Sequence, residues 1–359
     1  MGETPPDGRA GGGAATGACP ARPAGTGAAG PQRRTRRPTA RLRGWGGVAA
    51  MAVACVLTAA LTLLPLRQAQ QHAGGADGTG PGTAQAQRAA AATCSHPEAS
   101  LRPSPADGPT IDAIKKKKYL VVGIDQSSYR WGYRDPNKID NSDPEGFDID
   151  LVHEIAEQIL GDPDAVQYRA VPTSQRVAAI QRGDVDMVVR TMTITCERAE
   201  DVAFSTAYFE TGQQIVAPKS SGITGYNATL KGKRVCSADG STALSELRKK
   251  SFGADISIQV PNQLDCLVRL QLGEADAVVT DSALAAGQAA QDPTIEIKGD
   301  PFTEEYYGVA MKKGADDLVR RVNHILDDYR RSGWRASYDK WLRDDLGETS
   351  GPPAPRYTT

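Results

Sequence analysis

From residue 120 onward, short β-branched runs alternate with stretches of helical period, and this alternation restricts the fold more than any other feature. LVVGI at 120–124 has the length and composition of a buried strand. GFDIDLVHEIAEQIL at 146–160 repeats Leu151, Ile155 and Ile159 at i, i+4, the spacing of one helix face. A strand at 168–171 follows, then a helix at 175–182 that ends at Gly183, a residue suited to the left-handed cap. Further strands are expected at 186–189, 215–217, 234–236, 256–260, 277–280 and 307–311. Helices are expected from about Ser241, at 266–272, and at 317–330 and 334–342. Strand–helix alternation of this kind predicts an α/β fold with largely parallel sheets covered on both faces.

Open α/β sheets place ligands beyond the carboxyl ends of their strands. After the strand at 186–189 comes TMTITCER, in which Thr191, Thr193 and Thr195 alternate and Arg198 follows. A guanidinium holds a carboxylate with two parallel charge-assisted hydrogen bonds, and hydroxyls satisfy its remaining lone pairs. The stretch therefore reads as a small-carboxylate site, set against the simpler reading of a surface loop whose Arg198 pairs with Glu200 or Asp201.

The first hundred residues obey other rules. Residues 1–43 are Gly, Ala, Pro and Arg with few large apolar side chains, too little to offset the entropy of ordering. Residues 44–66 carry no charge and are long enough to cross a hydrocarbon core as a helix. Arg33, Arg34, Arg36, Arg37, Arg41 and Arg43 precede them and only Arg67 follows, so the N-terminus is expected in the cytoplasm and the rest outside the cell. A cleaved signal peptide is the rival, with a usually shorter apolar region. Residues 67–110 read as a flexible linker and 346–359 as a disordered tail.

Composition removes several function classes. A net charge of −1 gives no general argument for nucleic-acid binding. Of four histidines only His153 and His324 fall in the folded part, and neither GxSxG nor HExxH occurs. No cofactor, metal site or enzymatic activity is expected. Asp135, Asn137, Asp140 and Asp143 lack the spacing of a Ca²⁺ loop. Outside the membrane segment stand Cys94, Cys196, Cys236 and Cys266, which allow three disulfide pairings in an oxidising compartment.

LVVGID, GFDIDL, IQRGDVDMVV, TMTITCER followed by AFSTAYF, LKGKRV with GST, and ADAVVTDSA occur in one order along the chain. With these motifs the chain resembles the family 3 extracellular solute-binding proteins. Within that family it is similar to the actinobacterial glutamate/glutamine-binding branch of amino-acid ABC transporter substrate-binding proteins. The resemblance implies a two-lobed periplasmic-binding-protein fold of type II, with two doubly wound α/β lobes joined by two crossing strands. Lobe 1 is then expected at 111–215 and 308–345, and lobe 2 at 219–304. The crossings are expected at 215–220 and 306–309. Members of the branch are usually lipoproteins, whereas this chain has a long apolar segment and an N-terminal tail.

The resemblance also implies roles. Arg198 would clamp an α-carboxylate with Thr193 and Thr242, Asp281 would accept an α-ammonium with help from Thr191, and Tyr129 would line the pocket. Arg176, with Arg130 and Arg190, would meet a distal carboxylate, favouring glutamate or aspartate over lysine; the solute expected is an acidic amino acid or its amide, glutamine or asparagine. The likeness extends to the pair Cys236 with Cys266. Pairing within lobes leaves the hinge free, so Cys94–Cys196 and Cys236–Cys266 are expected. The implied partner is an ABC transporter permease for a monomeric, membrane-tethered binding protein. A tethered sensor that reports occupancy to a membrane signalling protein is the alternative.

Overall fold

The structure, a computed structural model, describes residues 94–138 and 143–358. Two five-stranded mixed sheets form the cores of two lobes. In the first, Val166–Ala170, Leu120–Ile124, Met187–Val188, Ala310–Lys312 and Val202–Phe204 lie side by side. In the second the order is Gln259–Val260, Val235–Ala238, Ala277–Asp281, Gln213–Pro218 and Ile295–Lys298. The expected parallel pairing holds for one half of each sheet only. Ala310–Lys312 runs antiparallel to both its neighbours, as does Gln213–Pro218. Each is the strand by which the chain enters a lobe after leaving the other, so it arrives in the reverse direction.

The crossings themselves are Phe209–Thr211 and Glu305–Tyr307, paired antiparallel as a two-stranded ribbon. The first crossing lies earlier than the 215–220 expected from sequence, because Gln213–Pro218 belongs wholly to the second sheet. Lobe 1 therefore gives way before residue 213. Phe209 and Tyr307 anchor the ribbon by packing edge-on against Trp131, with centroids 4.8 and 5.6 Å away. Trp334 donates from Nε1 to the Tyr208 carbonyl at 2.7 Å, fixing the approach to the ribbon.

Helices follow their local signals. Phe147–Leu160 carries Asp148 and Asp150 in its first turn, where the helix dipole favours anions, and buries Leu151, Ile155 and Ile159 as their spacing predicts. Arg176–Arg182 ends at Gly183 in the left-handed region, φ 74°, with its N–H returned to the Ala179 and Ile180 carbonyls. Two disulfides join Cys94 to Cys196 and Cys236 to Cys266, each within one lobe.

Two expectations of disorder need correction. Residues from Cys94 onward, read as the end of a flexible linker, pack on lobe 1. Buried Ser100 donates to the Phe204 carbonyl at 2.6 Å, and buried Asn323 donates to Ser100 Oγ and the Leu101 carbonyl. The chain end, read as a disordered tail, pairs with the same strip. Ser100 bridges to Tyr357, Thr358 N–H donates to the Ser100 carbonyl at 2.7 Å, and the Tyr357 hydroxyl donates to Asp327. Arg356 meets Glu98 at 3.0 Å. These contacts are polar and non-local, so hydropathy and period do not announce them. Among the described residues no helix is long and apolar enough to cross a membrane; the predicted span at 44–66 lies outside them.

Candidate functional site

Both lobes present loops to a shared cleft. From lobe 1 come Thr173, Arg176, Arg190, Thr191, Thr193 and Arg198; from lobe 2 come Ser241, Thr242, Gln263, Asp281 and Leu284. The space they enclose is about 10 Å³.

Thr195 is the N-cap of the short helix Cys196–Asp201 and accepts from the Arg198 N–H at 3.1 Å. The third hydroxyl of the alternating series is thus used to turn the chain. The turn aims the Arg198 guanidinium at the Thr193 carbonyl (2.6 Å) and, across the cleft, at the Gly240 carbonyl (3.0 Å). Gly240 has φ 70°, and a Cβ there would meet Ser174 Cα of the facing lobe at 2.7 Å, so only glycine permits this approach. Neither Glu200 nor Asp201 pairs with Arg198, which removes the simple surface-loop reading. Burial lowers its pKa, against the pull of Glu305 and Asp281.

Thr191 has φ 40°, an unusual backbone conformation for a β-branched residue that costs on the order of 1–3 kcal/mol. Its N–H donates at 2.9 Å to buried Asp148, whose other oxygen takes the Tyr208 hydroxyl at 2.8 Å. Burial lifts the Asp148 carboxyl to about 7. This acid, legible in sequence only as a helix-start charge, holds the turn that carries Thr191 and Thr193.

Asp281 ends its strand in lobe 2 and accepts from the Tyr307 hydroxyl at 2.7 Å and from Gln213. Burial, reinforced by the Glu305 carboxylate, raises it to about 7. Gln213 Oε1 is buried beside it with no hydrogen-bond partner among the described residues. Glu305 of the hinge ribbon accepts from Thr193 Oγ1 at 2.7 Å and Thr242 Oγ1 at 2.9 Å.

The three further arginines have three different environments. Arg176, 4 % exposed, donates to the Thr173 and Arg190 carbonyls and has no carboxylate within ion-pairing distance among the described residues. Burial and then the Arg198 and Arg190 charges push its pKa well below the ordinary value. Arg190 lines the cleft but pairs with Asp125 at 2.8 Å and reaches Asn262 of lobe 2 at 3.1 Å. Arg130 is not in the cleft. It turns toward the C-terminal helices, to the Trp341 carbonyl, Asp344 and Asp345, and that corrects its expected place beside the distal carboxylate. Its backbone is in the left-handed region, φ 65°. Tyr129 borders a neighbouring interlobe gap with Gln263, Leu284 and Gly287, apart from Arg198.

Sequence reading missed Asp125, Asp148, Gln213 and Glu305. Asp125 had a signal, the residue directly beyond LVVGI. Glu305 had a weaker one: in TEEYYG the alternation of a crossing strand puts Glu305 and Tyr307 on one face, and both are buried.

Known proteins share this architecture. The chain is similar to the ABC transporter glutamine-binding protein GlnH of Bacillus subtilis, 35 % identical over 67 % of this chain and 86 % of the relative. It is similar to the glutamate-binding protein GluB of Corynebacterium efficiens, 30 % identical over 64 % of this chain and 80 % of that one. Among solved structures, the solute receptor for L-cysteine of Neisseria gonorrhoeae superposes with a TM-score of 0.62 at 29 % identity, over 67 % of this chain and 96 % of its own. Holo ArgBP from T. maritima gives 0.57 at 32 %, over 64 % and 99 %. The two hinged lobes are the type II periplasmic-binding-protein fold. The profile of the bacterial extracellular solute-binding proteins, family 3, matches residues 120–344, and the chain belongs to that family.

Proposed function

We propose that this protein captures glutamate or glutamine in the interlobe cleft and delivers it to an ABC transporter, tethered to the membrane through residues 44–66. One observation carries the reading. A guanidinium with no carboxylate partner among the described residues, Arg198, and a buried carboxylate, Asp281, face one cavity from opposite lobes. A zwitterion needs one cationic and one anionic anchor. Anchors split between lobes make closure depend on the solute, since only the closed form gains both contacts. Arg198 with Thr193 and Thr242 is assigned the α-carboxylate. Asp281, Gln213 and the Thr191 turn are assigned the α-ammonium. The names of the relatives, glutamine- and glutamate-binding, support this solute class.

Arg176 is assigned the distal group. A buried guanidinium bonded only to carbonyls gains most from an anion, so glutamate is expected to bind more tightly than glutamine. Arginine and lysine would add a cation beside three guanidiniums. Calorimetric titration of the purified protein with glutamate, glutamine, aspartate, asparagine, arginine and lysine tests the reading. Preference for a basic amino acid, or heat from none of them, overturns it. In Arg176→Gln, glutamate affinity is expected to fall about tenfold to a hundredfold while glutamine falls much less, the difference being one charge-assisted hydrogen bond. Equal losses for both would return Arg176 to a purely structural role.

A further inference from the structure

The two hydroxyls assigned to the solute carboxylate already have an acceptor. Thr193, from the lobe 1 turn, and Thr242, from the start of the helix Thr242–Lys249 in lobe 2, donate to the same Glu305 oxygen, Oε2, at 2.7 and 2.9 Å. The other oxygen, Oε1, takes the Thr303 hydroxyl at 3.1 Å. Glu305 itself lies on the hinge ribbon and is 7 % exposed. A hydroxyl has one proton to donate. While both protons point at Glu305, these two hydroxyls offer a solute carboxylate lone pairs rather than protons, with the like charge of Glu305 behind them and Arg198 left as the donor. Gln213 Nε2 donates to Thr242 Oγ1 at 3.1 Å and occupies one of its lone pairs, while the Thr242 hydroxyl donates to Glu305.

We propose that Glu305 is an internal carboxylate that competes with the solute carboxylate for Thr193 and Thr242, and that solute entry requires its displacement. The proposal rests on the carboxylate assignment made above for those two residues. Three further observations support it. The enclosed space of about 10 Å³ holds one water-sized group, so an amino acid is accommodated only when the lobes part or a group lining the cleft withdraws. Glu305 is the leading carboxylate acting on Arg198, ahead of Asp281, so it already occupies the field that a solute carboxylate would enter. It is carried by a crossing strand and bonded to a hydroxyl of each lobe, so a change in lobe angle changes its geometry to those hydroxyls. Glu305 thereby stabilises closure without solute and sets a threshold that a strong carboxylate ligand must exceed.

The test is Glu305→Gln, which keeps the shape and removes the charge, titrated calorimetrically with glutamine beside the parent protein. A neutral amide holds the hydroxyls less strongly than a carboxylate does, so affinity for glutamine is expected to rise about tenfold. A fall in affinity would mean that Glu305 receives the solute ammonium alongside Asp281, and would overturn the proposal. Unchanged affinity would overturn it too. Glu305→Asp, which withdraws the carboxylate by one methylene, is the second variant should Glu305→Gln fail to fold by circular dichroism. It must also bind more tightly, and equal or weaker binding counts against the proposal. Silence of parent and variants toward every amino acid overturns the functional reading and this proposal with it, whereas a binding parent with an unchanged variant overturns this proposal alone.

Discussion

Arg198→Ala is expected to abolish measurable binding of glutamate and glutamine while leaving the folded protein intact. Its guanidinium has no carboxylate partner among the described residues and is directed into the cleft by the Thr195 cap and the Thr193 and Gly240 carbonyls. A desolvated charge of this kind, removed from beneath a solute carboxylate, costs about 2–5 kcal/mol, which is roughly thirty- to several-thousandfold in affinity. The structural cost is smaller. Two carbonyls at a partly open site lose a donor, and water can replace it. Arg198→Lys separates charge from shape: an ammonium restores the charge but not the fork, so binding is expected to recover only in part. Titration calorimetry alongside thermal unfolding reads both effects. Unchanged affinity would remove Arg198 from the site, and a collapse of the unfolding midpoint would recast it as a structural residue.

How much of this was legible in the sequence depends on how local the cause is. Helix starts and stops follow neighbours in the chain, so Gly183 and the Leu151, Ile155, Ile159 stripe were readable. Arg198 was readable because its turn is built from adjacent threonines. The place of Arg130 was not, since it depends on a positive φ and on Asp344 and Asp345 more than two hundred residues away. The crossings were displaced for a related reason. A strand that bridges two lobes and one that belongs to a sheet have the same period, and only pairing separates Phe209–Thr211 from Gln213–Pro218. The terminal strips looked disordered because Ser100, Asn323 and Tyr357 hold them by hydrogen bonds with little apolar burial. Glu305 escaped notice because an acid beside aromatic residues reads as a surface charge until its partners, Thr193 and Thr242, are brought in from two lobes.

The largest effect on stability is expected at Asp125, which no solute is assigned to touch. Asp125 and Arg190 are 7 % and 2 % exposed in their side chains and 2.8 Å apart. The same carboxylate accepts from the Gln126 and Ser127 N–H groups and the Ser127 and Ser128 hydroxyls, so it also shapes the loop after the first strand. Asp125→Ala strands a buried guanidinium whose Nε already has no partner among the described residues. Breaking one side of such a pair costs about 3–5 kcal/mol, which lowers the unfolding midpoint by on the order of 10 °C in a protein of this size. Arg190→Met alone strands the acid instead and is expected to cost a similar amount. Removing both, in Asp125→Ala with Arg190→Met, leaves neither charge of the pair stranded, so the double variant is expected to be more stable than the sum of the singles predicts. Acid gives the same information without mutation. Burial alone would raise the Asp125 carboxyl, but Arg190 and the Ser127 and Ser128 donors outweigh it and hold the pKa below the ordinary 3.8. A depressed folded-state pKa contributes stability that is fully present above 3.8 and lost as pH falls through the lower folded value. The parent should therefore lose stability below about pH 4 by an amount that Asp125→Ala does not. Additive losses in the double variant, or identical acid limbs in parent and Asp125→Ala, would show that the pair does not hold this side of the cleft together.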